Sequence, residues 1–338
     1  MRGAAILLLA SFISSASFGL EIEEGDLRLR LDEPTSRFTV LVEQNGRWLN
    51  LLFPEDLRTS ATEVLENNQV HRLGDSGRFS QRIEQGTFGP RFVWESSTLL
   101  ITQSFELTRS TDSLVANAVQ IRTTIASTAE EPREVGVRFL LDTWLGERGN
   151  HHFALPDGRV VDGELRLDPA STPFVVSKSA ESSTTGLQVM LGTASVTPPE
   201  AVYLTNWQRA SDSAWEYQYN PTRNFNRLPF SINDSAILVR YPTEVISTGQ
   251  EYEVVARLGD LAPAGYMNPA LAFADQRMST GSDASADERD PSDPALIERL
   301  SELIQEIAAL STEDEIEMAE ILRLQQELQE LGELIRGR

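Results

Sequence analysis

Strict alternation is the feature that most constrains this chain. The run "DLRLRLD", residues 26–32, sets leucine and charge in turn, so an extended strand here has one apolar and one solvated face. The same habit continues in "RFTVLVE", "RWLNLLF", "LLITQSFELT", "ANAVQIRTTIAST", "EVGVRFLLD", "GLQVMLGTA", "SAILVRYP" and "EYEVVARLG". Turn-forming residues punctuate them in "QNGR", "EEPRE", "LPDGR" and "STGQE". Between residues 20 and 261 few segments carry a helical period, "SATEVLENN", near Ala61, being the main exception. Many short strands without interleaved helices predict a mainly β fold, a large antiparallel β-sandwich over residues 20–262.

The first residues read as a signal peptide, 1–19. Arg2 gives the positive start, Ala4 to Ile13 the apolar stretch, and Ser17 and Gly19 the small residues before a cut. The apolar stretch is too short to span a bilayer, and no other segment approaches that length, so no transmembrane span is expected after cleavage. The expected location is periplasmic or exported to the cell surface. The chain has no cysteine, which removes disulfides, thiolate metal sites and cysteine nucleophiles. A net charge of −22 argues against a nucleic-acid partner and against anionic lipid. Lys178 is the only lysine, so Schiff-base chemistry has one possible position.

Composition changes after residue 262. Residues 263–293 contain "STGSDASADERDPSDP", small, polar and acidic, which predicts a linker, although "APAGYMNPALAFADQ" before it can lie against the sandwich. Residues 294–338 predict a helical heptad tail, a C-terminal α-helical hairpin or coiled coil. Leu300, Ile307, Leu324, Leu328 and Leu331 fall on its seam. A break at Ser311–Thr312, where a cap-like S-x-x-D meets an acidic run, favours the hairpin over one continuous helix. A two-helix unit of this size has too little core to stand alone. The seam therefore predicts pairing with the sandwich, with itself or with another envelope protein.

Chemistry-bearing residues gather in "VGVRFLLDTWLGERGNHHFALPDG", Val135 to Gly158. A strand ends near Asp142 and a turn follows. Asp142, Glu147 and His151 are the candidates for a metal, with His152 and Asp157 behind them. No cofactor is expected: the spacing fits neither a zinc helix nor an EF-hand loop, Asp142 and Thr143 suit strand-end capping, and calcium on the acids is the alternative. Adjacent histidines on a strand point to opposite faces and do not readily share an ion. G-x-S-x-G is absent, none of the three histidines has a supporting motif, and 51 acids select no carboxylate pair, so no catalytic residue is assigned. A second stretch, "NWQRASDSAWEYQYNPTRNFNRLPF", sets Trp207, Trp215, Tyr217, Tyr219 and Phe225 among amides and arginines. Flat rings beside such groups suit sugars, and Trp215, Tyr217 and Tyr219 also alternate as a strand face packed in a core would.

The run Val135, Gly136, Arg138, Asp142, Thr143, Leu145, Gly146, then Phe153 and Pro156, then Asp234, Ser235 and Ala236, resembles a group of uncharacterised bacterial exported β-sandwich proteins with a VGxRxxxDTxLG motif. The resemblance covers most of residues 25–260 and implies export and a sandwich. The strand-rich layout is also loosely similar to galactose-mutarotase-like domains, which use a catalytic histidine and glutamate; no such pair here matches theirs. The expected function is a non-catalytic exported structural or interaction protein of the cell envelope, assembling through its tail. The alternative is a carbohydrate-binding or carbohydrate-modifying sandwich using the Trp207–Phe225 region.

Overall fold

The computed structural model describes residues 19–86, 89–149, 151–178, 184–192 and 196–269. The expected signal segment up to residue 18, the linker from residue 270, and the seam of Leu300, Ile307, Leu324, Leu328 and Leu331 lie outside the described residues.

Twenty strands follow one another: β1 (Leu20–Glu24), β2 (Leu27–Asp32), β3 (Arg37–Gln44), β4 (Arg47–Asn50), β5 (Ala61–Glu66), β6 (Gln69–Arg72), β7 (Ser80–Gly86), β8 (Gly89–Glu95), β9 (Leu99–Thr108), β10 (Ala118–Ser127), β11 (Arg133–Thr143), β12 (Phe153–Ala154), β13 (Val160–Val161), β14 (Leu165–Leu167), β15 (Phe174–Lys178), β16 (Gly186–Met190), β17 (Ala201–Asn206), β18 (Ser235–Arg240), β19 (Glu244–Ile246) and β20 (Glu251–Gly259). Among the described residues, one short helix, α1 (Trp207–Ser211), and two 3₁₀ turns, Leu57–Thr59 and Glu147–Gly149, accompany the strands. The protein is therefore mainly β with very little helix among the described residues. No described helix is long and apolar enough to cross a membrane.

The strands form three antiparallel sheets. β1 to β4 make a four-stranded meander. Nine strands follow the order β13-β12-β15-β16-β20-β10-β9-β8-β7, and the third sheet runs β14-β17-β18-β11-β5-β6 with β19 also on β11. Asn45 and Gly46, at φ 51° and 74°, close the β3–β4 hairpin in the left-handed region that an Asn-Gly pair tolerates.

One core joins the sheets. Leu27, Leu29 and Leu31 of β2 meet Phe38, Phe92, Phe105 and the central strands. Phe38 and Phe92 pack on Phe105 with ring centres 5.2 and 5.7 Å apart. On β11, Val135, Val137, Phe139 and Leu141 enter this core. Leu140 packs on the opposite face with Tyr203 and Leu238.

Two local expectations change. Residues 61–66 are a strand, not a helix, paired with β6 and β11. All six residues are buried, so the two-faced alternation that marks a strand is missing from the sequence there. Residues 212–220 are not a strand either; after α1 they run as an irregular segment, bent at residues 215–216, that packs on the third sheet.

Candidate functional site

One group of polar residues in the third sheet lies at the ends of its central strands. β11 and β17 both pair antiparallel with β18, so their C-terminal ends lie beside its start. The register sets Asp142 opposite Ala236 and Ala236 opposite Thr205; one step on, Thr143, Ser235 and Asn206 line up. Asp142 shares its face with Arg138 and Leu140, the face turned away from the main core. The 3₁₀ turn Leu57–Thr59, entering β5, closes this end from the other side.

Three acids converge there. Carboxylate oxygens of Asp142, Glu147 and Asp234 all lie within 4.8 Å of one another. Asp142 is 4% exposed, whereas Glu147 and Asp234 are half-buried. The Ser235 N–H donates to Glu147 Oε1 at 2.7 Å, and the Ser235 hydroxyl donates to the same oxygen at 3.2 Å. Burial pushes the Asp142 carboxyl up to about 8, opposed by contact with Thr59 and reinforced by the charges of Asp234, Glu147 and Asp56. Burial likewise raises Glu147 to about 7, against its bonds from Ser235 and with Asp234 adding repulsion. Asp234 is raised by burial and held back by Ser231. At neutral pH the cluster therefore retains protons that ordinary carboxyls would have lost. Three oxygen donors this close also form the donor set a hard cation takes.

The surrounding residues hold this end in shape. The Asn206 amide donates to Ser231 O at 2.8 Å and Asp234 O at 3.0 Å, while its Oδ1 accepts from Arg209 N–H at 3.2 Å as the cap of α1. Gln208 Oε1 accepts from Ser231 N–H at 3.0 Å. Residues 207–230 thus leave the sheet and return to it at one neck, beside Asp142. Trp207, half-buried, donates from Nε1 to Thr59 O at 2.8 Å, which sets its indole next to the residue that touches Asp142. Asn233 takes φ 57°, in the left-handed region that asparagine tolerates, and its Nδ2 donates to Glu147 O at 2.7 Å.

Of the residues singled out in the sequence, Asp142 and Glu147 come together, and Asp234 joins them where His151 was the third candidate. His151 is exposed; His152 is 1% exposed and packs on Phe225 with ring centres 4.5 Å apart and planes tilted at 56°. Burial lowers the His152 pKa, so its ring is neutral at pH 7. Among the aromatic candidates, Trp207 is tied to Thr59, which touches Asp142, and packs on the cluster of Leu140 and Tyr203, while Phe225 is fully buried. Tyr217 is buried against Tyr203, and its hydroxyl bonds the Thr205 hydroxyl and accepts from Arg209 Nε. Trp215 and Tyr219 are half-buried. Asp234 and Asn206 carried no signal as site residues, although Asp234 opens the D-S-A run and Asp142 the D-T run of two neighbouring strands.

No family model matches the chain, and no curated protein does. Solved structures do resemble it. A galactose mutarotase related enzyme from Lactobacillus acidophilus is 9% identical, covering 74% of this chain and 99% of its own, with a TM-score of 0.44. A galactose mutarotase-like protein from Lactobacillus casei is 8% identical over 72% and 99%, also at 0.44. An alpha-N-acetylgalactosaminidase from Bifidobacterium bifidum is 10% identical over 77% of this chain and 38% of that one, at 0.42. These agree with the loose similarity to galactose-mutarotase-like domains and do not bear on the VGxRxxxDTxLG group. One expectation is corrected. A non-catalytic envelope protein assembled through its tail gives way to the alternative, carbohydrate reading, taken up below on the acid cluster.

Proposed function

We propose that this protein is a carbohydrate-modifying β-sandwich protein that works by proton transfer at Asp142, Glu147 and Asp234. The observation that carries the reading is the gathering of three carboxyls at one end of the third sheet's central strands, with Asp142 raised to about 8 and Glu147 to about 7. An acid with its pKa near the working pH can give up a proton and take it back, as general acid–base chemistry requires. The hydroxyls and ring oxygen of a sugar are suitable partners for such a proton. In this reading Asp142 holds the proton deepest, while Glu147 and Asp234 meet the ligand at the mouth. The Trp207 indole offers an apolar surface for one face of the sugar ring. The expected export of the chain belongs to the same proposal, since it would set the site among extracellular or periplasmic saccharides.

The test is an assay of free aldoses and glycosides, following anomer interconversion by polarimetry and new reducing ends by colour. Glu147→Gln and Asp142→Asn should each lower turnover by about 10²–10⁴-fold while the protein stays folded by circular dichroism. If the intact protein neither binds nor converts any saccharide, the reading fails. A calcium arm sharpens it: an ion on the three acids would displace their protons, and turnover would fall as calcium is added.

A further inference from the structure

We propose that residues 207–230 seal the outer face of the third sheet, so that the acid site takes a free monosaccharide or the last residue of a chain and not the interior of a polymer. This rests on the carbohydrate reading and names the substrate class of the same site.

A polymer-binding cleft would run from Asp142 along the face that carries Leu140, Arg138, Tyr203 and Leu238. That face is already filled. Tyr217 and Tyr219 pack on Tyr203 with ring centres 5.1 and 6.3 Å away. Trp215 lies over Gly136, where a Cβ would sit 2.9 Å from the indole Cζ2, so the absence of a side chain makes room for the ring. The Arg138 guanidinium stands 5.3 Å from the same ring.

The segment is fastened rather than laid loosely. The registers put Arg72, Glu63, Arg138 and Arg240 in one row across four neighbouring strands. Glu63 joins the first two arginines to itself, at 2.9 Å from Arg72 and 2.6 Å from Arg138. Their remaining donors go to the segment's backbone. Arg138 NH1 reaches Ala214 O at 2.6 Å and Trp215 O at 3.0 Å, and Arg72 NH2 reaches Ser211 O at 3.1 Å. Arg240 pairs with Glu216, and the buried Glu164 carboxylate holds Arg209 at 2.6 Å and accepts from Asn220 N–H at 3.1 Å. Lifting the segment would strip buried charges of their partners, a penalty that a neutral sugar chain cannot offset. With the neck tied by Asn206, the mouth beside Glu147 and Asp234 is what remains for a ligand.

The experiment compares the full chain acting on galactose, glucose and N-acetylgalactosamine with its action on amylose and a linear β-galactan. The intact protein should convert free sugars or release monosaccharide from chain ends, with no products of intermediate length at the earliest times. The double variant Trp215→Ala, Glu216→Ala should loosen the segment, read as faster amide exchange over residues 212–229. Its preference for polymer over monomer should rise about tenfold or more. Conversion of free sugar should stay as it was. Intermediate-length products from the intact protein would overturn this inference alone, as would an unchanged preference in a variant whose segment has loosened. Failure to handle any saccharide would remove the carbohydrate reading and this inference with it.

Discussion

Arg138 and Asp142 stand four residues apart on one strand, on the same face, and both are buried. Their surroundings differ in kind. Arg138 sits 2.6 Å from the Glu63 carboxylate and passes its other donors to backbone carbonyls, so its charge is matched. Asp142 faces two further acids and the more distant Asp56. Matched charge fastens a segment to a sheet. Burial, reinforced by crowded like charge, holds protons instead, at a cost to stability that a purely structural edge would not need to bear.

The largest expected effect breaks the matched half. Glu63→Gln should lower stability by about 3–5 kcal/mol in urea unfolding, since it leaves Arg72 and Arg138 facing each other without a carboxylate. Replacing Glu63 and Arg138 together with leucine and methionine should recover much of that loss. A loss well below 1 kcal/mol for Glu63→Gln would show that the pair is not shielded from water.

The crowded half gives the next effect, through pH. Unfolded, Asp142 loses its proton near pH 4. Folded, it keeps that proton until about pH 8. Between those values the folded state binds more protons, so this residue makes stability fall as pH rises. Asp142→Asn should flatten that decline, read as melting temperature against pH at roughly 2–4 °C per kcal/mol for a chain of this size. Parallel curves for the two proteins would count against a protonated Asp142.

Smaller effects test how the two halves are joined. Gly136→Ala forces a methyl against Trp215 and Thr243 and should cost about 1–3 kcal/mol by overpacking. Asn206→Ala removes the α1 cap and the tie across the neck and should cost about 0.5–2 kcal/mol. It should also disturb turnover more than Gly136→Ala does, because the neck carries Asp234. The reverse order would separate the neck from the acid site.

Alternation made most of the sheet legible in the sequence. "EVGVRFLLD" shows its inward valines and phenylalanine and its outward arginine and aspartate as β11 places them. It failed at Ala61–Glu66 because both faces there are covered, one by the core and the other by the arginine row and the segment above it. In Trp215, Tyr217 and Tyr219 alternation is present without a strand: the tyrosines meet Tyr203 of the sheet, the chain bends at residues 215–216, and no ladder forms. The acid site was half legible. Asp142 and Glu147 are close in sequence and were candidates together. Asp234 reaches them only through the pairing of β11 with β18, a contact between distant segments that local pattern does not encode.

The most direct test is a carbon-13 NMR titration of the Asp142 and Glu147 side-chain carboxyls in the folded protein, assigned with Asp142→Asn and Glu147→Gln. Midpoints near 8 and 7 are predicted, as expected of acids that carry protons to and from a sugar at neutral pH. Midpoints for both near 4, the value of ordinary solvated carboxyls, would contradict the account.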